Sequence, residues 1–316
     1  MADSPKTLPL EAAQSNAAPA DATPLLPLLQ RIMILVSGMI AMGVYFTSIL
    51  IASTVLPQMQ GSFSATADEI SWSVTFNILA TAIAMPLTGW ASTRFGRWRL
   101  IVYATALFTF STFMCGMAQS LEEMIFWRIV QGAAGAPSVP LVQAIVLDTF
   151  PPSQHRVVLG INGMGVVLGP IFGPLLGGIL AEAINWRWAF FLLVPVGLGA
   201  TLGLALSLPK DKPRSQTQFR WIGFILLSVA IGGAQLLLAR GQRLDWFESA
   251  EIQILLFASC LSFYLFLTHS LTSPKPFIDL RLLLNRNYAL GLGLVTLFGM
   301  LNFTPMVLLP PLLRNS

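Results

Sequence analysis

Eight times in this chain an almost unbroken run of apolar residues reaches about 20 residues, the length of helix that crosses the hydrocarbon core of a bilayer. The runs fall at roughly 33–56, 70–91, 100–118, 124–147, 157–180, 188–208, 221–240 and 252–271, and a ninth begins near Tyr288. With 55% hydrophobic and 10% charged residues, a water-soluble domain is excluded, because too few polar side chains exist to cover its surface. The runs are continuous rather than alternating, which excludes a membrane β-barrel and leaves an all-α polytopic transmembrane helical bundle. The net charge of +4 is divided among short connections, so no basic patch suited to nucleic acid forms. Cys115 and Cys260 both fall inside apolar runs and read as small buried apolar residues. No Cys/His cluster has metal-ligand spacing, so neither a metal site nor a disulfide framework is expected.

Residues 1–30, rich in Ala, Pro, Ser and Thr, show no periodic apolar face and are expected to form a disordered cytoplasmic tail. Placing that tail inside puts most of the 18 Lys and Arg residues in the cytoplasm. Arg187, Arg240, Arg243 and Arg314 then fall outside and Arg128 within a run, an asymmetry that sets a multi-pass topology with a cytoplasmic N-terminus. Trp72, Trp90, Trp127, Trp186, Trp188 and Trp221 lie near the ends of runs and read as interfacial anchors.

Three stretches carry more than hydropathy. The fifth run contains GINGMGVVLGPIFGPLLGG, from Gly160 to Gly178, in which Gly165, Gly169, Gly173 and Gly177 stand four apart. On a helix this makes a ridge without side chains, which another backbone can approach closely. Pro170 and Pro174 each remove a backbone donor, so the helix is expected to bend there. A close-packed interface and a bending point in a moving transporter both fit this pattern. The connection after the second run reads GWASTRFGRWRL, from Gly89 to Leu100, whose glycines suit a tight turn and whose arginines suit headgroup phosphates or the carbonyl end of a helix. The fourth run carries FWRIVQGAAGAP, from Phe126 to Pro137. Arg128 is expected about one turn inside its outer end. It either snorkels to the interface or, with Gln131 one turn further in, faces a cavity beside a close helix contact.

Together these stretches resemble the major facilitator superfamily. Gly89, Arg94, Gly96 and Arg97 match its G-x-x-x-D-R-x-G-R-R loop, with Thr93 at the acidic position and Trp98 at the second basic one. Asp148, at the cytoplasmic end of the fourth run, remains as an acid for Arg94 or Arg97 in a gating loop. Arg128 and Gln131 match the R-x-x-Q-G motif of the same span. Gly160, Gly169, Gly173, Pro174, Gly177 and Gly178 match the G-x8-G-x3-G-P-x2-G-G antiporter signature of drug exporters. NWRWAFFLLVPVG, from Asn185 to Gly197, is similar to the start of the sixth span in 14-span drug:proton antiporters of the EmrB/QacA type. The two runs before the segment PKPFIDLRLLLNRN (Pro274 to Asn287) correspond to the extra central pair of that group. That segment is expected to be an interfacial helix.

The resemblance implies a six-span N-terminal lobe over 31–208, two extra spans and a cytoplasmic linker over 209–287, and over 288–316 the first span of a C-terminal lobe that is otherwise missing. The chain then corresponds to a fragment of a longer transporter or to a truncated gene product. The implied activity is efflux of hydrophobic or amphiphilic compounds across the inner (plasma) membrane, driven by the proton gradient without a bound cofactor. A periplasmic adaptor and an outer-membrane channel accompany some exporters of this type. In the first run, SILIASTVLP (Ser48 to Pro57) aligns with a D-T-T-I-x-N-V-A-L-P segment of the group and places Ser48 at its acidic position. No carboxylate lies deep in any complete run. Tyr45, Thr47, Ser48, Ser53, Asn77, Arg128, Gln131 and Asn162, polar or aromatic residues in apolar runs, are the candidates for a substrate or proton pathway. The rival readings are a non-transporting membrane scaffold, the remnant of a truncated transporter gene, and a membrane-embedded enzyme. An enzyme would need a constellation of His, Asp, Ser or Cys at membrane depth, whereas His155 and His269 both sit near cytoplasmic ends of runs and read as loop residues.

Overall fold

In a computed structural model, residues 26–211, 218–274 and 276–314 are described, those after 301 by backbone alone. The expected N-terminal tail lies outside them up to residue 25. Its last residues are already helical, because α1 (Leu28–Thr54) starts directly after Pro27, whose fixed φ opens the first turn. A short α2 (Leu56–Phe63) leads into α3 (Ala67–Ala84), which begins with a capping box between Thr66 and Glu69. The second run, expected as a single span, is broken. Met85 and Pro86 separate α3 from α4 (Leu87–Phe95), and the axis turns by 58°. Gly96 then adopts φ 88° to start α5 (Arg97–Met117), a backbone angle that disfavours any side chain.

The fourth run is interrupted only by a turn and remains one joined span. α6 (Leu121–Gly135) and α7 (Ser138–Thr149) meet at Ala136 and Pro137. By contrast α8 (His155–Ala183) runs unbroken through Pro170 and Pro174. The helix is continuous at both prolines, with α1 packed along its glycine ridge. α9 (Arg187–Phe191) and α10 (Leu193–Ser207) complete the sixth run. α11 (Trp221–Arg240), α12 (Ala250–Thr272) and α13 (Arg286–Arg314) follow. The segment before α13 is not the expected interfacial helix but a single 3₁₀ stretch, Leu280–Leu284, whose first turn is capped by the Asp279 side chain. Among the described residues, seven helices or joined helices are long and apolar enough to cross a membrane, and the bent α3–α4 pair makes an eighth. No strand occurs among them.

Two buried clusters hold the bundle. One gathers Tyr45, Phe108, Met124 and Phe190 toward the end where α6 begins, and the other gathers Ile34, Ile101, Ile145 and Leu204 toward the opposite, arginine-rich end. α1 is central, packed against α8, α10 and α7, while α3 packs against α6 and α5 against α6 and α10. Added Cβ atoms show how close these approaches are. At Gly173 one would stand 2.7 Å from Leu50 Cβ, at Gly165 and Gly169 it would strike Met39 and Phe46 of α1, and at Gly132 it would strike the Asn77 carbonyl. Gly160 and Gly178 face open space. Two sequence assignments change. Cys260 is exposed, on the outer surface of α12, although Cys115 is buried. Trp186 is buried at 3% exposure, its indole N–H donating to Ser62 Oγ at 2.8 Å, so it packs the core rather than anchoring an interface.

Candidate functional site

α6 starts at Leu121, after Ser120 caps the Glu123 amide. Arg128 therefore lies two turns inside that end, deeper than the sequence suggested. It is fully buried and does not snorkel. Its Nε donates to the Ser73 carbonyl at 3.2 Å, and its Nη1 to the Ser48 carbonyl at 3.4 Å and to Gln131 Oε1 at 2.5 Å. Gln131, also fully buried, donates from Nε2 to Thr112 Oγ1 at 2.7 Å. Asn77 Nδ2 donates to the Arg128 carbonyl at 2.8 Å and, more weakly, to Gln131 Oε1 at 3.4 Å. Thr81 Oγ1 sits 3.0 Å from both the Asn77 and Gly132 carbonyls, and the Tyr45 side chain reaches Thr81. Helices α1, α3, α5 and α6 thus meet around one guanidinium.

That guanidinium has no carboxylate partner among the described residues. Its Nη2 and the nearby Asn77 Oδ1 are both buried without hydrogen-bond partners. A buried charge left this way is costly, and water or an anionic group would relieve it.

Of the residues selected from sequence, Tyr45, Asn77, Arg128 and Gln131 converge here, and Ser48 contributes its carbonyl. Thr47 is buried but faces the α8 ridge, with its backbone beside Gly169 and Gly173. Ser53 is exposed, and its hydroxyl returns to the Ile49 carbonyl at 3.3 Å. Asn162 is buried on the glycine face of α8, with Oδ1 unpaired, apart from the Arg128 network. Sequence reasoning missed Ser73, Thr81 and Thr112. The signal was present: Ser73, Asn77 and Thr81 stand four apart and form one small polar face of α3.

The arginine-rich end keeps the expected acid–arginine pair and adds a cap that the sequence pattern does not announce. Asp148 pairs with Arg97. Arg94 is exposed and makes no ion pair among the described residues. Gly89 is exposed with open space around it. The acid that the loop lacks at Thr93 arrives from elsewhere. Asp211, beyond α10, accepts from the Arg97 amide at 2.8 Å and from the Trp98 amide at 3.0 Å, and so caps α5. A Cβ at Gly96 would stand 2.9 Å from Asp211 Oδ1. Trp98 Nε1 donates to the Ala205 carbonyl at 3.3 Å, and Lys210 lies over its ring, so α5 and α10 are fastened together here.

The broken-helix bundle with a buried polar centre is the architecture of a multi-pass membrane transporter. The chain belongs to the Major Facilitator Superfamily, whose model matches residues 37–315. It is 35% identical over 266 residues to the multidrug export protein EmrB of Escherichia coli (strain K12), covering 84% of this chain and 52% of that protein. It is 32% identical over 264 residues to the fatty acid resistance protein FarB of Neisseria gonorrhoeae, covering 82% of this chain and 52% of that protein. The chain therefore spans about half the length of the curated relatives it matches. Among solved structures it is similar in fold to a D-xylose-proton symporter, with a TM-score of 0.51 and 14% identity, covering 76% of this chain and 67% of that one.

Proposed function

We propose that this chain forms the N-terminal lobe and two additional spans of an exporter that moves hydrophobic or amphiphilic compounds out across the cytoplasmic membrane. In this reading the helices within 31–208 are the lobe, those within 209–287 the additional spans and linker, and 288–316 the first span of a second lobe. The arginine-rich end, with the N-terminus, faces the cytoplasm. Similarity to relatives named for multidrug export and fatty acid resistance supports export. A proton gradient supplies the energy, and an adaptor with an outer-membrane channel is a further expected partner.

The observation that carries the substrate class is the fully buried Arg128, with Nη2 unpartnered and no carboxylate beside it. A desolvated cation is poorly received next to an unpaired guanidinium, whereas an anionic headgroup supplies the missing acceptor. The exporter therefore favours neutral or acidic amphiphiles over quaternary ammonium compounds. Susceptibility of cells expressing the native gene tests this. Protection against long-chain fatty acids that falls at least tenfold with Arg128→Ala is expected. Protection against quaternary ammonium compounds that survives Arg128→Ala, with none against fatty acids, would refute it.

A further inference from the structure

On a different face of α6 from Arg128 and Gln131, a groove of about 580 Å³ opens between α5 and α6. Ala133 and Ala134 leave room in its wall, and Pro137, where α6 gives way to α7, lines it as well. Its mouth, at the arginine-rich end, holds Arg99, and Tyr103 and Leu107 continue along α5 on the same side. Arg99 and Leu107 are eight residues apart, so the groove reaches about 12 Å inward along the helix. That is most of one leaflet's share, about 15 Å, of the hydrocarbon core.

The lining is almost wholly apolar below Arg99. Tyr103 is 66% exposed and Leu107 46%, so this side looks outward from the bundle. Arg99 is exposed and has no ion pair among the described residues. The two carboxylates of this corner are already engaged, Asp148 by Arg97 and Asp211 by the first amides of α5. The groove thus joins an uncompensated cation at the interface to an apolar slot that points toward the bilayer centre. Its volume falls in the range of specific ligand sites, about 300–1,000 Å³.

We propose that this groove is a binding site for an anionic membrane phospholipid, with its phosphate on Arg99 and one acyl chain laid along Tyr103 and Leu107 against Ala133. A zwitterionic lipid fills the slot equally well but gains less at the arginine, because its own ammonium offsets the phosphate. Selectivity for net negative charge is therefore the signature of the site. It does not depend on what the protein exports.

Native mass spectrometry of the whole chain, released from mild detergent after titration with phosphatidylglycerol and phosphatidylcholine of matched chains, tests the proposal. Phosphatidylglycerol should be retained in preference, and Arg99→Gln should lower its retention about fivefold while lowering that of phosphatidylcholine far less. Ala133→Phe, at an exposed position, should reduce retention of both lipids by filling the slot. Should that variant fail to fold by circular dichroism, Arg99→Gln decides alone. Undiminished phosphatidylglycerol retention in Arg99→Gln would overturn the proposal. So would displacement of phosphatidylglycerol by equimolar oleate, which would assign the groove to a free fatty acid.

Discussion

Neighbouring residues on a helix point about 100° apart, and α1 uses that angle to serve two partners. Thr47 turns to the glycine ridge of α8, while Ser48 offers its carbonyl to Arg128. Ser53, five residues further on, has rotated to the outside. From sequence these three were alike, as hydroxyl residues in an apolar run, because the run carries no polar stripe that tells its inner face from its outer one. Arg128, Gln131 and Asn77 were legible for the opposite reason, since groups so costly to bury in a bilayer must find one another. The glycines of α8 divide the same way. Gly173→Leu should cost about 1–3 kcal/mol of stability, because Leu50 is already in contact range of an added Cβ. Gly178→Leu, facing open space, should be nearly neutral although it belongs to the same motif. Thermal unfolding of the two purified variants in detergent separates them, and equal melting temperatures would show that α1 does not depend on the ridge.

Proline marks where a donor is missing but not whether the helix gives way. At Pro86 the axis turns by 58°, at Pro137 α6 and α7 stay joined in one span, and at Pro170 and Pro174 α8 is continuous. α8 has α1 along its glycine face, and a local sequence window contains no neighbours. The start of α5 was also hidden. Its cap comes from Asp211, 114 residues after Arg97, so no short-range pattern announces it. Asp211→Ala should cost about 1 kcal/mol and loosen the first turn of α5. Gly96→Ala should cost about 1–3 kcal/mol, from a backbone angle that side chains rarely adopt and from crowding against the Asp211 carboxylate. Hydrogen exchange at the Arg97 and Trp98 amides reads both effects, and unchanged protection in Asp211→Ala would mean that the cap contributes nothing.

At the scale of the molecule, hydropathy fixed the all-α class and nearly every span, and motif spacing fixed the family, because both depend on regular repeats along the chain. A transporter of this family needs a second wall for its cavity, and the chain spans about half the length of its relatives. Residues 1–316 alone should therefore insert into vesicles without moving substrate, and energy-dependent dye export from such vesicles would contradict this. The placement of the last helices adds a mechanical point. α11 packs on α3, with Gly232 against Leu79 and Ile83. At the end opposite the arginine-rich one, Arg243 pairs with Asp68 and bonds Ser71 Oγ, while Arg240 lies over Trp72 and pairs with Glu251 of α12. A helix pair fastened at its rim and packed along its length to one neighbour is carried as cargo by that neighbour. Any rigid-body rotation of α3 therefore takes α11 and α12 with it.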